Sequence, residues 1–285
     1  MNSQFIAEAS SNHAQNLDRC LRFVDVSAQL GCAAVKFQLF KLDQLFAPEI
    51  LERSERHRRR RQWELPESFV PKIAQRCRDT GIAFSCTPFY LEAVDVLAPH
   101  VDFFKIASYD ILRDDLIAAS ARTGKPLVIS TGMAVPEEIH RAVDVAKGAG
   151  CQDLTLLHCV SAYPTPPGEC NLAALDTLRR DHQCKVGWSD HTVSPAVIYR
   201  AVHHWQASMI EFHLDLDGRG EEFAPGHCWL PEQIGPVIDA CSIGFAADGD
   251  GRKVPTSSEV VDREWRADPS DGLRPLLETR KVWQG

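Results

Sequence analysis

The chain has 285 residues, of which 44% are hydrophobic and 25% are charged, so it is neither disordered nor of low complexity. Its length suits one large domain rather than several. Acidic residues outnumber basic ones by 39 to 31, and the resulting net charge of −8 disfavours general attachment to nucleic acid or to an anionic membrane surface. These values favour a globular protein that acts on small molecules.

The sequence carries no signal for export or for membrane insertion. Residues 1–4 lack a basic segment followed by an apolar run, and no stretch approaches the ~20 apolar residues that span a bilayer. The 10 cysteines are scattered without a CxxC pair, so we expect reduced residues of the core rather than disulfides. We therefore predict a cytoplasmic protein.

Short β-rich runs alternate with amphipathic segments along the chain. The eight predicted strands are residues 5–9, 34–39, 83–87, 103–106, 127–130, 154–159, 186–189 and 209–213. After the first strand, apolar residues recur at helical spacing from Leu17 to Leu30, and Gly31 ends the pattern. Further helices are predicted over residues 66–80, 136–149, 171–181, 195–206 and 231–243.

Eight strand–helix repeats predict an α/β fold, a (βα)8 TIM barrel that forms a single domain over residues 1–247. No GxGxxG follows the first strand, which weakens a doubly wound dinucleotide-binding fold. Two segments interrupt the repeat, the arginine-rich residues 49–62 and the loop of residues 215–226. Residues 248–285 are rich in Asp, Gly, Arg and Pro, and we expect them to form a tail that packs on the barrel.

Two histidines stand at the ends of neighbouring predicted strands, His191 after the seventh and His213 in the eighth. A (βα)8 barrel has its active site at this end of the strands. Two imidazoles on one divalent ion leave positions for water and substrate, as in a catalytic metal site. Taken alone the pair is a weak signal, because a histidine at such a position is more often a hydrogen-bonded residue of the core or of the rim of the barrel.

Two lysines and several hydroxyls also follow strand ends, namely Lys36, Lys105, Thr87, Ser108, Ser130 and Ser189. Cations beside small donors suit a phosphate or a carboxylate ligand. The hydroxyls could instead cap the helices that follow them. Because these residues converge from so many strands, we interpret them as an anion site.

The ends of the predicted strands lie in motifs that resemble the sialic acid synthase family, the N-acetylneuraminate synthase-like barrels that condense phosphoenolpyruvate. The resemblance covers about residues 4–266 and keeps the order of all motifs. The motifs are AEASSNH (7–13), AVKFQ (34–38), KIAS (105–108), GKP (124–126), STGM (130–133), LHC (157–159), YP (163–164), SDHT (189–192) and EFH (211–213).

The resemblance implies that phosphoenolpyruvate condenses with an aldose, typically an N-acylated hexosamine, to give a nonulosonic-acid-type 3-deoxy-2-keto acid and phosphate. It implies a divalent metal, most often Mn²⁺ with Mg²⁺ or Co²⁺ possible, held by His191 and His213, and a homodimer is possible. Glu8 would be the acid–base residue. The implied phosphoenolpyruvate contacts are Lys36, Thr87, Lys105, Ser108, Ser130, Ser161 and Ser189, and Gln38, Asp110 and Tyr163 would face the sugar.

Departures from the family concern the acceptor side. The resemblance covers the barrel only, without the family's antifreeze-like C-terminal domain, so we expect a more open pocket or one closed by the chain's own tail. Tyr109-Asp110 replaces the usual Gly-Glu, Phe212 replaces a Lys or Arg, and residues 218–227 lack the usual Pro-Gly-Pro-Asp stretch. The arginines at 58–61 either form a solvated or partner-facing surface or pair with an anionic acceptor.

The sequence leaves three other functions open. A Schiff-base aldolase barrel would need Lys36 or Lys105 with a lowered pKa. A metal-dependent hydrolase would need more ligands than the first strand offers. A non-catalytic barrel that regulates a complete synthase would bind phosphoenolpyruvate or a sugar without turnover.

Overall fold

The computed structural model describes residues 3–284, in which eight parallel strands pair in chain order and close β1 against β8. The strands are β1 Gln4–Glu8, β2 Ala34–Leu39, β3 Ala83–Pro88, β4 Phe103–Ile106, β5 Leu127–Ser130, β6 Leu154–Cys159, β7 Lys185–Asp190 and β8 Met209–His213. The predicted (βα)8 barrel is confirmed, and each predicted strand lies within one residue of the observed one at both ends.

One helix or more follows each strand. The longer helices are Leu17–Gln29, Val70–Thr80, Leu91–Leu97, Asp114–Arg122, Pro136–Gly148, Ala174–His182, Pro195–Tyr199 and Pro231–Asp248. The helices Leu91–Leu97 and Asp114–Arg122 were not predicted from the sequence. The predicted helix at 195–206 is α-helical only to Tyr199 and continues as a π-helical turn, Arg200–His204.

The arginine-rich insertion after β2 is helical rather than extended. After Leu42–Leu45, it forms Pro48–Arg53, Glu55–Arg58 and the 3₁₀ turn Arg59–Trp63. Gln15, in the loop after β1, donates hydrogen bonds to the carbonyls of Arg61 and Glu64 at 3.1 and 2.9 Å. The insertion is thereby attached to the end of the barrel where the strands terminate.

Because side chains alternate in direction along each strand, the apolar residues form two separate regions. One set of side chains points outward and packs under the helices, as Phe5, Phe37 and Phe212 do. The other points into the barrel, where Ile6, Ala34, Val128, Leu157 and Met209 fill the end at which the strands begin. The inward residues further along the strands are polar, so the carboxyl-terminal end of the barrel is the end left for chemistry.

The described residues form two compact units that divide between Phe245 and Ala246. The first contains the barrel. The second contains two 3₁₀ turns, Ser257–Glu259 and Asp262–Trp265, and the helix Leu277–Val282. The predicted packing of residues 248–285 on the barrel stays a prediction.

Two other sequence expectations concern the chain as a whole. All ten cysteines are unpaired, and nine of them are buried, as expected for reduced residues of the core. Among residues 3–284, no helix combines the length and the apolar character needed to cross a bilayer.

Candidate active site

Two buried lysines and two buried glutamates lie inside the barrel at the ends of β1, β2, β4 and β8. Lys36 forms an ion pair with Glu8 and lies 3.7 Å from Glu211, whose other oxygen is 3.4 Å from the amine of Lys105. Ser189 donates a hydrogen bond to Glu211 at 3.2 Å. The strand register places Glu8 beside Lys36 on one side and beside His213 on the other. Glu8 therefore connects the lysines to the histidines.

The pKa values of the two lysines shift in opposite directions because their carboxylate neighbours differ. Burial by itself would lower the pKa of Lys36, but Glu211 and Glu8 outweigh burial and raise it. Burial lowers the pKa of Lys105, and Glu211 only partly opposes this. Glu211 is also buried, yet Lys105 and Lys36 bring its pKa down to about 2. The pairing keeps Lys36 charged in a site closed to water.

A group of hydroxyls surrounds Gly132, in the loop after β5. The backbone N–H of Gly132 donates to Ser108 at 3.0 Å, and a Cβ on Gly132 would lie 2.4 Å from the hydroxyl of Ser161 and 2.8 Å from that of Ser108. The buried hydroxyls of Ser130 and Ser161 have no hydrogen-bond partner among residues 3–284. Because a buried polar group without a partner costs free energy, these two hydroxyls indicate a ligand with acceptor oxygens.

Two predicted site residues, Thr87 and Gln38, lie on β3 and β2. Thr87 of β3 is within 3.4 Å of the amine of Lys36. Gln38 of β2 donates to Glu8 at 2.7 Å and to Ser10 at 3.0 Å. Ser10 in turn donates to Glu222, in the loop after β8, at 2.7 Å. A continuous polar network thus extends from Glu8 across the mouth of the barrel.

The two predicted metal-binding histidines face each other, with ring centroids 5.3 Å apart. The protonated Nδ1 of His191 donates a hydrogen bond to the carbonyl of Val160 at 2.8 Å, which leaves Nε2 with its lone pair. Burial first, and then His213, lower the pKa of His191 to about 3, so its ring is neutral. A neutral imidazole with a fixed tautomer is the state that a metal ligand requires.

Asp190 holds the turn that presents His191. Its carboxylate accepts hydrogen bonds from the indoles of Trp188 and Trp229 at 3.0 and 3.1 Å, and from Thr192 at 2.7 Å. The ring of Tyr163 covers His191 at a centroid distance of 4.2 Å. These contacts fix the position of the His191 ring.

The loop after β8 adds three ligand-type residues beside His213, which are Glu222, His227 and Cys228. Glu222 lies 3.1 Å from Nδ1 of His213 and 3.8 Å from Nε2 of His227. Burial would lower the pKa of His213, but Cys228 and Glu222 outweigh it and raise the pKa well above its usual value. Burial would raise the pKa of Cys228, whereas His213 and His227 lower it.

Comparison with known proteins identifies the family of this chain. A model described as the NeuB family matches residues 23–253. The chain belongs to the NeuB family. The family predicted from the sequence is thereby confirmed, and so is the prediction of a phosphoenolpyruvate-dependent C–C bond-forming transferase of the sialic acid synthase type.

Individual members of the family match over most of their length. The N,N'-diacetyllegionaminic acid synthase of Campylobacter jejuni is 35% identical over 269 residues, which are 89% of this chain and 80% of that protein. A pseudaminic acid synthase of the same species is 28% identical over 87% of this chain and 75% of its own. The crystal structure of N-acetylneuraminic acid synthetase from Leptospira borgpetersenii matches with a TM-score of 0.81 at 28% identity, covering 95% of this chain and 93% of that one.

One of the residues at which this chain departs from the NeuB family, Phe212, lies outside the site. Phe212 points outward from β8, is fully buried and packs against Phe5 with ring centroids 6.5 Å apart. A residue in the layer between strands and helices cannot face the sugar, so Phe212 has no bearing on the acceptor. Asp110 is different, because it lies in the 3₁₀ turn Ser108–Asp110 at the end of β4 and is buried. Burial raises the pKa of its carboxyl to about 6.

The arginine run of this NeuB-family member has partners within its own insertion. Arg58 donates to the carbonyls of Leu51 and Glu52, and Arg59 pairs with Glu55 at 2.7 Å. The guanidinium of Arg60 stacks on Phe46 and Trp63, and that of Arg61 pairs with Asp43 at 2.7 Å. These contacts favour a structural role for the run.

Four residues that the structure places in the site were not predicted from the sequence to have a role there, namely Glu211, Glu222, His227 and Cys228. The strand period could have identified Glu211, since it precedes His213 by two residues and therefore points to the same side. The other three lie in a loop without periodicity, and only the folded loop brings them to His213. All the predicted site residues lie at the carboxyl-terminal end of the barrel; their roles stay predictions.

Proposed function

We propose that this NeuB-family chain condenses phosphoenolpyruvate with an N-acylated aldose, in a metal-dependent reaction, to give a nonulosonic acid and inorganic phosphate. The observation that carries the proposal is the pairing of two sites in one barrel mouth. The ion-paired Lys36 and Lys105, the unpartnered hydroxyls of Ser130 and Ser161, and the facing rings of His191 and His213 all lie at the carboxyl-terminal end of the barrel. The similarity to an N,N'-diacetyllegionaminic acid synthase supports an acceptor sugar with acylated amines.

The anionic substrate fits the lysine side. Phosphoenolpyruvate carries a phosphate and a carboxylate, and Lys36 and Lys105 are buried cations that can contact both. Ser130 and Ser161 offer hydroxyl donors that nothing else in the structure uses. Enclosure at this end of the barrel excludes bulk water, which strengthens each of these interactions.

The histidine side fits a divalent metal. His191 has a fixed neutral tautomer, and His213 faces it among further nitrogen, oxygen and sulfur donors. An ion bound there supplies Lewis acidity for a carbonyl oxygen, which is worth several kcal/mol. The resemblance favours Mn²⁺, with Mg²⁺ or Co²⁺ as other candidates.

In the proposed reaction, C3 of phosphoenolpyruvate bonds to the aldehyde carbon, and the aldehyde oxygen takes a proton to become a hydroxyl. Water adds to C2 and supplies both protons: one balances the new sugar hydroxyl, and the other leaves with the phosphate when its C–O bond breaks, which gives the 2-keto acid. Glu8 orients and deprotonates this water, because Gln38 and Lys36 hold its carboxylate at the junction of the two sites. Holding both substrates together removes much of the entropic barrier of a bimolecular step.

The test is phosphate release from phosphoenolpyruvate with Mn²⁺ across a panel of neutral and anionic N-acylated aldoses, with mass spectrometry of the product. We expect His191→Ala and His213→Ala to abolish turnover, and His140→Ala, an exposed helical histidine, to keep it. If both site variants remain active in chelator, the proposal is wrong. An anionic acceptor stays a prediction, since the guanidinium groups at 58–61 already have partners.

One observation favours a second candidate, a Schiff-base aldolase. Lys105 is the site lysine whose pKa burial lowers, and a neutral amine is what such chemistry requires. Borohydride trapping in the presence of substrate would label Lys105 if this were the mechanism. We expect no adduct, because Glu211 lies 3.4 Å from the amine and favours its charged form.

A further inference from the structure

The loop after β8 places a carboxylate against the ring of His213. Glu222 Oε2 lies 3.1 Å from His213 Nδ1, a hydrogen-bond distance that leaves Nε2 as the nitrogen available to an ion. We propose that Glu222 is a positioning residue, which accepts a hydrogen bond from Nδ1–H of His213 and orients this ring for a divalent ion held together with His191. The inference rests on the proposed function for the role of the ion, but metal binding tests it without either substrate.

Both oxygens of the Glu222 carboxylate already have donors, which favours this role over direct coordination. Oε2 faces His213, and Oε1 accepts hydrogen bonds from the hydroxyls of Ser10 at 2.7 Å and Ser11 at 3.2 Å. These serines follow β1, so the carboxylate connects the loop after β8 to the loop after the first strand. The Nε2 of His227, at 3.8 Å, is too distant for a hydrogen bond to Oε2. Each carboxylate oxygen is therefore occupied without an ion.

The backbone of Glu222 is also held in place. Its N–H donates to Asn12 Oδ1 at 2.9 Å, and its carbonyl accepts a hydrogen bond from the thiol of Cys228 at 3.2 Å. Asn12 donates in turn to the carbonyl of Leu214 at 3.0 Å, which attaches the loop to the end of β8. Because all of these contacts lie within the protein, the carboxylate is in position before an ion or a substrate binds.

The two histidines have different acceptors at Nδ1. His191 donates to the neutral carbonyl of Val160 at 2.8 Å, whereas the acceptor for His213 is an anion. A carboxylate fixes the ring and also makes its other nitrogen a more basic metal ligand. An ion with two histidines as its protein ligands keeps open positions for water and for a substrate oxygen. Glu222 therefore strengthens metal binding without occupying one of these positions.

The test titrates the metal-free full chain with Mn²⁺ in the absence of phosphoenolpyruvate and sugar. Electron paramagnetic resonance of the free ion gives the affinity, and the relaxation rate of water protons reports the hydration of the bound ion. We expect Glu222→Ala to weaken Mn²⁺ binding by roughly 10- to 100-fold and to leave the relaxation rate per bound ion unchanged. Glu222→Gln keeps an acceptor oxygen without the charge, so its affinity should fall less. A higher relaxation rate per bound ion in Glu222→Ala would mean that water has replaced a ligand, and it would overturn the proposal.

The hydrogen bond itself has a spectroscopic signature in the metal-free chain. Hydrogen bonds to a carboxylate are short and strong, so the Nδ1 proton of His213 should resonate far downfield in the proton NMR spectrum. We expect this signal to be absent from His213→Ala and to move upfield in Glu222→Gln. The Nδ1 proton of His191 should keep its position in Glu222→Gln, which excludes misfolding as the cause.

Glu221→Gln is the matched control, because it removes a neighbouring carboxylate that is exposed. It should keep both the Mn²⁺ affinity and the downfield signal. Equal Mn²⁺ affinities of Glu222→Ala and the parent chain would show that Glu222 does not position His213. If Glu222→Ala weakens binding as expected and the parent chain releases phosphate with no acceptor, the positioning role stands and only the proposed function fails.

Discussion

Asp110 illustrates how the position of a single residue sets its protonation. It occupies a buried turn beside the site, where its carboxyl has a pKa of about 6 because burial disfavours the charged form. Its ordinary value is 3.8, so the folded chain binds this proton more tightly than the unfolded chain. Asp110 therefore favours folding fully below about pH 4, and this contribution is lost as the pH rises through about 6.

We predict that Asp110→Asn is more stable than the parent chain above about pH 6, by roughly 1–3 kcal/mol. The amide removes the cost of a buried charge, and the difference should vanish towards pH 4, where the carboxyl is protonated. Urea unfolding of both proteins at several pH values measures the effect. Asp144→Asn, at an exposed position, serves as the control, and a pH-independent difference for Asp110→Asn would contradict the explanation.

At the scale of single elements, β7 and β8 are joined unusually closely. A Cβ on Gly187 of β7 would lie 2.3 Å from the backbone carbonyl oxygen of Met209 in β8 and 2.7 Å from Leu157. Backbone cannot move aside as the end of a side chain can, so only glycine fits there. Ser189, Glu211 and His213 lie on these two strands, so the distance between β7 and β8 sets the geometry of the site.

We predict that Gly187→Ala destabilises the chain by about 1–3 kcal/mol or more, because β7 must separate from β8. Ala at Gly148, at the end of helix Pro136–Gly148, meets no atom within 4 Å and should be neutral or slightly stabilising. Thermal unfolding of the two variants gives the comparison. An unchanged melting temperature for Gly187→Ala would show that the strands are not in close contact.

At the scale of the whole molecule, closure of the sheet explains why the barrel has one apolar and one polar end. Eight parallel strands with inward side chains at the same levels form layers, and the lower layer is an apolar cluster around Ile6 and Leu157. The layers above it contain Glu8, Lys36 and Glu211. Hydrophobic burial below and between strands and helices offsets the cost of burying these charges.

The burial of the ten cysteines predicts how their thiols react. Nine are buried and Cys184 is half-buried, with no disulfide among them. We expect a thiol reagent to label Cys184 first in the native chain and all ten cysteines after denaturation. A reductant should leave the melting temperature unchanged. A melting temperature that falls on reduction would mean that the chain contains a disulfide.

The sequence by itself determined the barrel, because the eight strand–helix repeats are local patterns that can be identified without knowledge of tertiary contacts. It also determined which residues stand at the strand ends, and hence Glu8, the two lysines and the two histidines. The strand period also implies that Phe212, between Glu211 and His213, points away from the site. Only the tertiary structure decided that the guanidinium groups at 58–61 have their own partners. Only the tertiary structure brought Glu222, His227 and Cys228 to His213, since a loop has no period from which the direction of its side chains can be read.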